Sequence, residues 1–333
     1  MKVLVTGGAG FIGSHTVVDL IENGITPIIV DDFRNSEKFV LKQLEKLCGT
    51  KIVSYNIDCC NYEQMEAIFS SEKPDGVIHF AADKSVNESV ENPLKYYQNN
   101  IGSLVTLLRL IEKHPVKSFV FSSSCTVYGN PDSVPVTELS PIKKAFSPYG
   151  FSKQVCEQCL VDFHNSNPKN SIILLRYFNP IGAHPSSLIG ELPIGVPNNL
   201  IPFITQTAAG VREKVVVFGA SYNTNDGTCV RDYIHVCDLA KSHVLALNYA
   251  LKNPNNIDTF NVGTGKGDSV LEVIKSFEKI NSITLNYEIG PKRAGDAPVV
   301  YADNSYIKKK LNWSPKYTLE DALLHSWNWQ QTL

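Results

Sequence analysis

Tyr149 and Lys153 stand four residues apart in the stretch Tyr149-Gly150-Phe151-Ser152-Lys153, so on a helix they share a face. A free tyrosine holds its proton up to a pKa of about 10. A lysine ammonium beside it stabilises the phenolate and lowers that value. A phenol tuned in this way can take the proton of a substrate hydroxyl. Ser124, which closes the run from Val116 through Ser122-Ser123, can hydrogen-bond the same hydroxyl. Alone, a Tyr-x-x-x-Lys spacing is also the pattern of a solvated helix face, and three serines also make a plain loop. Both gain force from the elements that must position them.

Those elements begin at the N-terminus. Val3-Leu4-Val5 is a short apolar run, followed at once by Thr6-Gly7-Gly8-Ala9-Gly10-Phe11-Ile12-Gly13. A helical pattern then carries Ile12, Val17, Val18, Leu20 and Ile21, and a second strand, Ile28-Ile29-Val30, ends on Asp31. Gly7 permits the tight turn, Gly10 lets backbone approach a pyrophosphate, and Gly13 lets the helix pack close to the strand. The helix start offers free N–H groups to the phosphates, and Asp31 can accept hydrogen bonds from both ribose hydroxyls. Strand, glycine turn, helix, strand and acid in that order predict a dinucleotide site. Asp32 beside Asp31 would repel a 2′-phosphate, so the cofactor expected is NAD rather than NADP. Arg34 could accommodate that phosphate, but it reads as a solvated loop cation. An oxidised nicotinamide near Tyr149 would reinforce Lys153, and hydride could leave the carbon whose hydroxyl loses its proton.

Further along, Ser36 is placed to cap a helix ending at Gly49, and residues 51–57 form a strand ending at Asp58. Helices are expected at 61–69, 85–91, 93–113 and 148–165, and strands at 75–82, 116–121 and 172–177. The strand 75–82 runs into Ala81-Ala82, small residues that suit close passage of a cofactor. This alternation predicts an α/β fold, a doubly wound parallel Rossmann sheet with ligands at the carboxyl ends of its strands. After Phe178 the texture turns rich in Pro, Gly and Asn. Residues 1–178 are therefore read as the NAD-binding domain and 179–333 as a smaller C-terminal α/β substrate lobe, with some segments free to cross back. Helices are expected there at 199–210, 236–251, 269–279, near Asn304 and at 318–331, with strands at 215–218 and near Leu285.

Composition excludes other classes. The 333 residues carry a formal net charge of −2, which gives no basic footprint for nucleic acid or an anionic membrane. No apolar run reaches the roughly 20 residues needed to span a bilayer. Met1-Lys2 leads straight into a strand, so no signal peptide is expected and the cytosol is the expected location. The eight cysteines are scattered, which argues against a disulfide framework. Cys156-Glu157-Gln158-Cys159 is formally a C-x-x-C, but no second ligand pair accompanies it and it lies inside a helical pattern. It reads as two small apolar residues on one helix face, and no metal is expected.

Jointly, several stretches resemble the extended short-chain dehydrogenase/reductase superfamily and, within it, the UDP-sugar 4-epimerases, over essentially the whole chain. They are TGGAGFIG (6–13), VIHFAA (77–82), SSSCTVYG (122–129), Tyr149 to Lys153, RYFNP (176–180) with Gly182-Ala183-His184-Pro185, PNNL (197–200) and GTCVRDYIH (227–235). The resemblance implies a tightly held NAD that is recycled within one turnover. Tyr149 would take the proton of the sugar 4-hydroxyl as carbon 4 gives up hydride. The 4-keto sugar would then swing about its diphosphate and take the hydride back on its other face, while Lys153 holds the nicotinamide ribose and tunes Tyr149. By the same resemblance Phe11, Ile12, Asp31, Asn35, Ser36, Asp58, Phe80, Ala81, Lys84, Asn99, Tyr177 and Phe178 line the cofactor. Asn179, Asn199, Leu200, Phe218, Arg231, Tyr233, Arg293 and Asp296 match positions for a UDP-sugar. Arg231 and Arg293 can clamp a diphosphate, Asp296 can take ribose hydroxyls, and Phe218 and Tyr233 can pack near the uracil. His79 and His235 read as structural. Helices 93–113 and 148–165 resemble the family's dimer interface, so a homodimer is expected.

Two absences narrow the reaction. Related 4,6-dehydratases place an Asp-Glu pair after the serine equivalent to Ser124, where this chain has Cys125 and Thr126, and decarboxylating relatives carry Glu in place of Thr126. Elimination needs an acid and a base beyond carbon 4, and neither is supplied. Epimerisation at one carbon is left. The family's gatekeeper aligns with Val300. A bulky Tyr there accompanies restriction to glucose and galactose, whereas Val300 leaves room for a 2-acetamido group. UDP-GalNAc and UDP-GlcNAc are therefore expected substrates beside UDP-galactose and UDP-glucose. Restriction to the N-acetylated pair, an NAD(P)-dependent sugar-nucleotide reductase that consumes cofactor from solution, and a non-catalytic nucleotide sensor are the alternatives. A sensor should lose the Tyr149/Lys153 pair, which this chain keeps.

Overall fold

Val3, Leu4 and Val5 are all fully buried, as are Ile28, Ile29 and Val30. Strands apolar on both faces belong to a parallel sheet covered by helices on each side. The computed structural model describes residues 1–293 and 296–333. The first half runs β1 (Lys2–Thr6), α1 (Phe11–Glu22), β2 (Thr26–Asp31), α2 (Phe39–Cys48), β3 (Val53–Asn56), α3 (Tyr62–Glu72) and β4 (Gly76–His79). Next come α4 (Val86–Glu91), α5 (Pro93–Tyr96), a π-helical turn (Tyr97–Ile101), α6 (Gly102–Lys113) and β5 (Ser118–Ser124). A 3-10 turn (Cys125–Tyr128), α7 (Pro148–Ser166) and β6 (Ser171–Tyr177) follow. The remainder holds β7 (Asn179–Ile181), α8 (Leu200–Ala208), β8 (Val215–Phe218), β9 (Val230–Arg231), β10 (Tyr233–His235), α9 (Val236–Lys252) and β11 (Ile257–Val262). It ends with β12 (Asp268–Ser269), α10 (Val270–Asn281), β13 (Tyr287–Gly290), β14 (Val299–Val300), α11 (Ser305–Leu311) and α12 (Leu319–Gln330).

Seven strands form one sheet in the order β11-β6-β5-β4-β1-β2-β3. The expected doubly wound α/β sheet is therefore present, with one strand more than the sequence suggested. The chain divides into two units. The first comprises residues 1–129, 141–177 and 240–260; the second comprises 130–140, 178–239 and 261–333. In the first, Leu4, Ile28, Phe69, Leu107, Phe119, Leu160 and Ile172 share a core. In the second, Ile204, Val217, Val273, Ile274, Phe277 and Leu323 form another, and the sheets are short. Capping boxes start α10 (Ser269 with Glu272) and α12 (Thr318 with Asp321).

Three local expectations are corrected. Ser36 does not cap a helix: its hydroxyl donates to Asp31 Oδ1 at 2.7 Å, and α2 starts at Phe39. The single helix expected over 93–113 is broken by the π-helical turn. Asn100 within it is buried, donates to Asp83 O (3.0 Å) and Ser152 Oγ (3.1 Å), and accepts from Asp83 N (2.8 Å). A one-residue insertion in a helix re-aims side chains at a small cost, and functional sites use it often. The strand expected to stop at Phe121 continues to Ser124, pairing Ser124 with Tyr177.

His79 is a core histidine, with Nδ1 2.7 Å from Thr6 Oγ1 and its ring beside Phe121. Burial, and then the charge of Lys153, pull its pKa from 6.5 down to about 3. The folded state keeps this ring neutral, while the unfolded chain protonates it below 6.5. Its contribution is thus present above pH 6.5 and is lost as pH falls through the window down to about 3. Urea unfolding of His79→Asn across the acid range should show a shallower decline than wild type, by up to about 1.4 kcal/mol per pH unit. Parallel declines would contradict the assignment.

Candidate active site

The glycine turn has the geometry its composition requires. Gly7 has φ +68°, its N–H donates to Val30 O at 2.8 Å, and a Cβ there would lie 2.8 Å from Ala81 N. At Gly13 a Cβ would fall 2.2 Å from Gly7 O and 2.8 Å from Gly8 Cα, so what it lets approach the helix is the turn itself. Gly10 caps α1 in an extended conformation with no side-chain cap, leaving the first-turn N–H groups of Phe11 and Ile12 to an anion. Asp31 ends β2 and is held by Ala9 N (3.0 Å), Phe33 N (2.9 Å) and Ser36 Oγ. Burial outweighs these hydrogen bonds and pushes its carboxyl up from the ordinary value.

Arg34 is not the solvated cation expected. Its guanidinium reaches Asp32, Asp58 Oδ2 (2.7 Å) and Asn99 Oδ1 (3.2 Å), so acids already neutralise it. Burial pushes Asp58 up, but the Cys60 N–H and Arg34 win and hold it below the ordinary carboxylate range. Asn35 Nδ2 donates to Asp83 Oδ1 at 3.3 Å. Phe80 packs on the His243 ring, centroids 4.6 Å apart, and Lys84 is exposed. Asp31, Ser36, Arg34, Asp58 and Asn99 thus form one polar edge beyond β2 and β3. The cradle at Gly7 and Gly13, the bare helix start and the oriented Asp31 fit a dinucleotide.

Ser147 caps α7 by accepting from Gly150 N at 3.2 Å, with Pro148 in the first turn. That start puts Tyr149 and Lys153 on the buried face, 7% and 3% exposed, and excludes the solvated-face alternative. Tyr149 is hydrogen-bonded to Ser124, and Tyr177 lies near it. Lys153 Nζ donates to Ser122 O at 2.8 Å and sits 4.8 Å from the centre of the Phe121 ring. The lowered Tyr149 pKa expected from the sequence is not a property of the chain's own groups. Burial, then Tyr177, pushes the phenol up and outweighs the Ser124 hydrogen bond that lowers it. Burial also lowers Lys153 to about 8, with Cys156 and Glu157 opposing. A neutral phenol with a lysine still protonated at neutral pH is a base awaiting more positive charge.

In the second unit, the parallel pairing of β7 and β10 sets Asn179 beside Tyr233, and that of β9 and β14 sets Arg231 beside Val300. Arg231 Nη1 donates to Ala297 O at 2.8 Å, and Nη2 lies 3.6 Å from Asp296 Oδ1. Arg293 stacks on Phe218, 3.9 Å from the ring centre. Asn199 precedes Leu200 at the start of α8 and donates to Glu191 Oε1 at 2.7 Å. Phe178 is buried, its N–H on Val262 O at 3.2 Å. His235 accepts from Cys237 N (3.0 Å), faces His325 Nδ1 (3.0 Å) and stacks on Tyr317, a structural role.

Sequence reasoning assigned nothing to Asn100, His243, Glu157 or Arg176. Asn100 ties α7 at Ser152 to the end of β4, and His243 Nε2 lies 3.4 Å from Ser122 Oγ. Glu157 carried a signal, since it continues the spacing of Tyr149 and Lys153 by four. Cys156 is buried in the core and Cys159 packs against it, as expected. Among the described residues no group of three His, Cys, Asp or Glu is arranged to hold a metal, and no helix is long and apolar enough to cross a membrane.

A family model described as GDP-mannose 4,6 dehydratase matches residues 4–325. The UDP-glucose 4-epimerase of Dictyostelium discoideum is 47% identical over 99% of this chain and 95% of its own length. The structure of UDP-glucose 4-epimerase from Bifidobacterium longum in complex with NAD+ and UDP superposes with a TM-score of 0.97 at 45% identity, covering 100% of this chain and 98% of that one. The enzyme of the same name from Stenotrophomonas maltophila, with bound NAD and formylated UDP-arabinopyranose, gives the same TM-score, identity and coverage.

Proposed function

The chain belongs to the UDP-glucose 4-epimerase family of the extended short-chain dehydrogenase/reductases, and we propose that it interconverts UDP-galactose and UDP-glucose by oxidation and re-reduction at sugar carbon 4. The observation that carries the reading is the buried constellation of Tyr149, Lys153 and Ser124 at the carboxyl end of β5, beside Tyr177. Bound NAD supplies the hydride acceptor and donor. The glycine turn, α1 and Asp31 would hold it, with Asp58, Asn99 and the other residues of that edge. Tyr149 takes the proton of the 4-hydroxyl and returns it to the 4-keto sugar. Ser124 orients that hydroxyl, and Lys153 provides the fixed positive charge that favours the phenolate. Arg231 and Arg293 neutralise the diphosphate, Asp296 takes ribose hydroxyls, and Asn179, Asn199, Leu200, Phe218 and Tyr233 seat the UDP group.

We also propose that the N-acetylated pair is turned over, because Val300 is small and stands in register with Arg231. Val300→Tyr should depress UDP-GalNAc turnover by at least about tenfold, as an overpacked pocket does, while UDP-galactose turnover stays within about twofold. Equal loss on both substrates would remove Val300 as the gatekeeper. The protein works in the cytosol as a homodimer on this reading. Apolar side chains left in the open on α4, α5 and α7 support the dimer: Val90, Phe151 and Leu94, the last 77% exposed.

Purified protein with no added cofactor should convert UDP-galactose and, separately, UDP-GalNAc, with products resolved by chromatography. Conversion of UDP-galactose alone keeps the mechanism and discards the open pocket. Silence on both, with NAD added as well, contradicts the epimerase reading.

A further inference from the structure

Glu157 lies four residues beyond Lys153 and eight beyond Tyr149, so the three side chains form one stripe along α7. All three are buried. The stripe ends on a network that the reaction has not used. Glu157 Oε1 accepts from Ser123 Oγ at 2.5 Å and from Arg176 Nε at 2.9 Å, and its Oε2 accepts from Arg176 Nη2 at 2.6 Å. Arg176 Nη1 donates to the Tyr128 hydroxyl at 3.0 Å, and the guanidinium lies 4.9 Å from the Tyr128 ring centre. Each partner adjoins a residue of the site. Ser123 precedes Ser124, Arg176 precedes Tyr177, and Tyr128 closes the turn that follows Ser124.

We propose that the Glu157–Arg176 pair is a positioning element that sets the rotation and register of α7 against the ends of β5 and β6, and so aligns Tyr149 and Lys153 with Ser124. This inference rests on the catalytic reading of those three residues. One carboxylate grips the helix that carries base and cation, the strand that carries Ser124, and the strand that carries Tyr177. A buried ion pair is a poor source of stability, because apolar residues of similar size often replace it without loss. It is a good source of geometry, because the guanidinium fork accepts a carboxylate only in a planar, two-point fit. The contacts at 2.6 and 2.9 Å have that form. Glu157 also puts negative charge within reach of Lys153, against the burial that strips its proton.

Replacing both members with apolar residues separates positioning from stability. The double variant Glu157→Leu/Arg176→Met should melt at or above the wild-type temperature. Its kcat for UDP-galactose should fall by about 30- to 100-fold, the scale of a misplacement near 1 Å, while KM stays within about threefold. A folded double variant with kcat within about twofold of wild type would overturn the proposal. Glu157→Gln decides the matter should the double variant not fold. Without its charge, Lys153 loses its proton more easily, so the alkaline limb of kcat should move to lower pH. An unmoved limb with unchanged kcat would also overturn it. Wild-type protein assayed alongside distinguishes the two levels of claim. An inactive wild type removes the reaction and the positioning role together, whereas an active wild type with an equally active variant removes the positioning role alone.

Discussion

Tyr149→Phe is expected to lower kcat for UDP-galactose by about 10³-fold, within the range of a positioned general base, with KM changed by no more than about threefold. The substitution removes one oxygen from a side chain that is 7% exposed, so the ring still fills its place and the fold is kept. What is lost is the phenol hydrogen-bonded to Ser124, the group proposed to take and return the proton. Water cannot replace it readily at so buried a position. Because the substrate's UDP group is assigned to other residues, binding should survive. Equilibrium binding of UDP and steady-state kinetics on the same preparation check both halves. A variant retaining more than about a tenth of wild-type kcat would show that the proton goes elsewhere.

Lys153→Met is expected to lower kcat by about 10²- to 10³-fold and, in the same protein, to leave stability equal or improved at neutral pH. The two effects have one cause. Burial lowers the Lys153 pKa from 10.5 to about 8, so between these values the unfolded chain binds the proton more readily than the folded one. Stability therefore rises with pH through that window, and below it the folded state carries a fixed cost of keeping the ammonium buried. Met keeps the bulk and removes that cost. Catalysis moves the other way, because the phenol, pushed up by burial, then has no fixed cation to favour its ionised form. Wild-type kcat should decline as pH rises through about 8, where Lys153 loses its charge, and the variant's residual rate should lack that limb. Thermal melting and a pH–rate profile together test the pair of outcomes. A variant less stable than wild type by several degrees would mean that Lys153 serves mainly to hold Ser122 O.

The parts legible in the sequence were those whose chemistry is local. The glycine turn announces itself because no other residue tolerates φ +68° at Gly7 with backbone 2.8 Å from where a Cβ would sit. Buried parallel strands announce themselves as apolar runs, and Pro148 suits the first turn of α7. What stayed hidden was long-range pairing. Arg34 looks like any loop cation until Asp58 and Asn99, distant in sequence, are brought to its fork. Ser36 has the composition of a helix cap, but Asp31 competes for its hydroxyl and wins. β11 escaped notice because Asp258 and Thr259 interrupt its apolar pattern, and its place at the sheet edge demands less burial there. The break in the 93–113 helix rests on Asn100, whose partners Asp83 and Ser152 lie on other elements. The residues proposed for the UDP group would have passed for surface charges and core aromatics had resemblance not named them, since pairings such as Asn179 with Tyr233 and Arg231 with Val300 come from the registers of β7 with β10 and β9 with β14.

Oxidation and re-reduction at one carbon should proceed without exchange of its hydrogen with the surroundings. UDP-galactose carrying deuterium at carbon 4 tests it directly, in buffer with unlabelled water and an excess of free NADH. All of the label is expected at carbon 4 of the UDP-glucose formed. Label washed into water, or protium delivered from the added NADH, would contradict it.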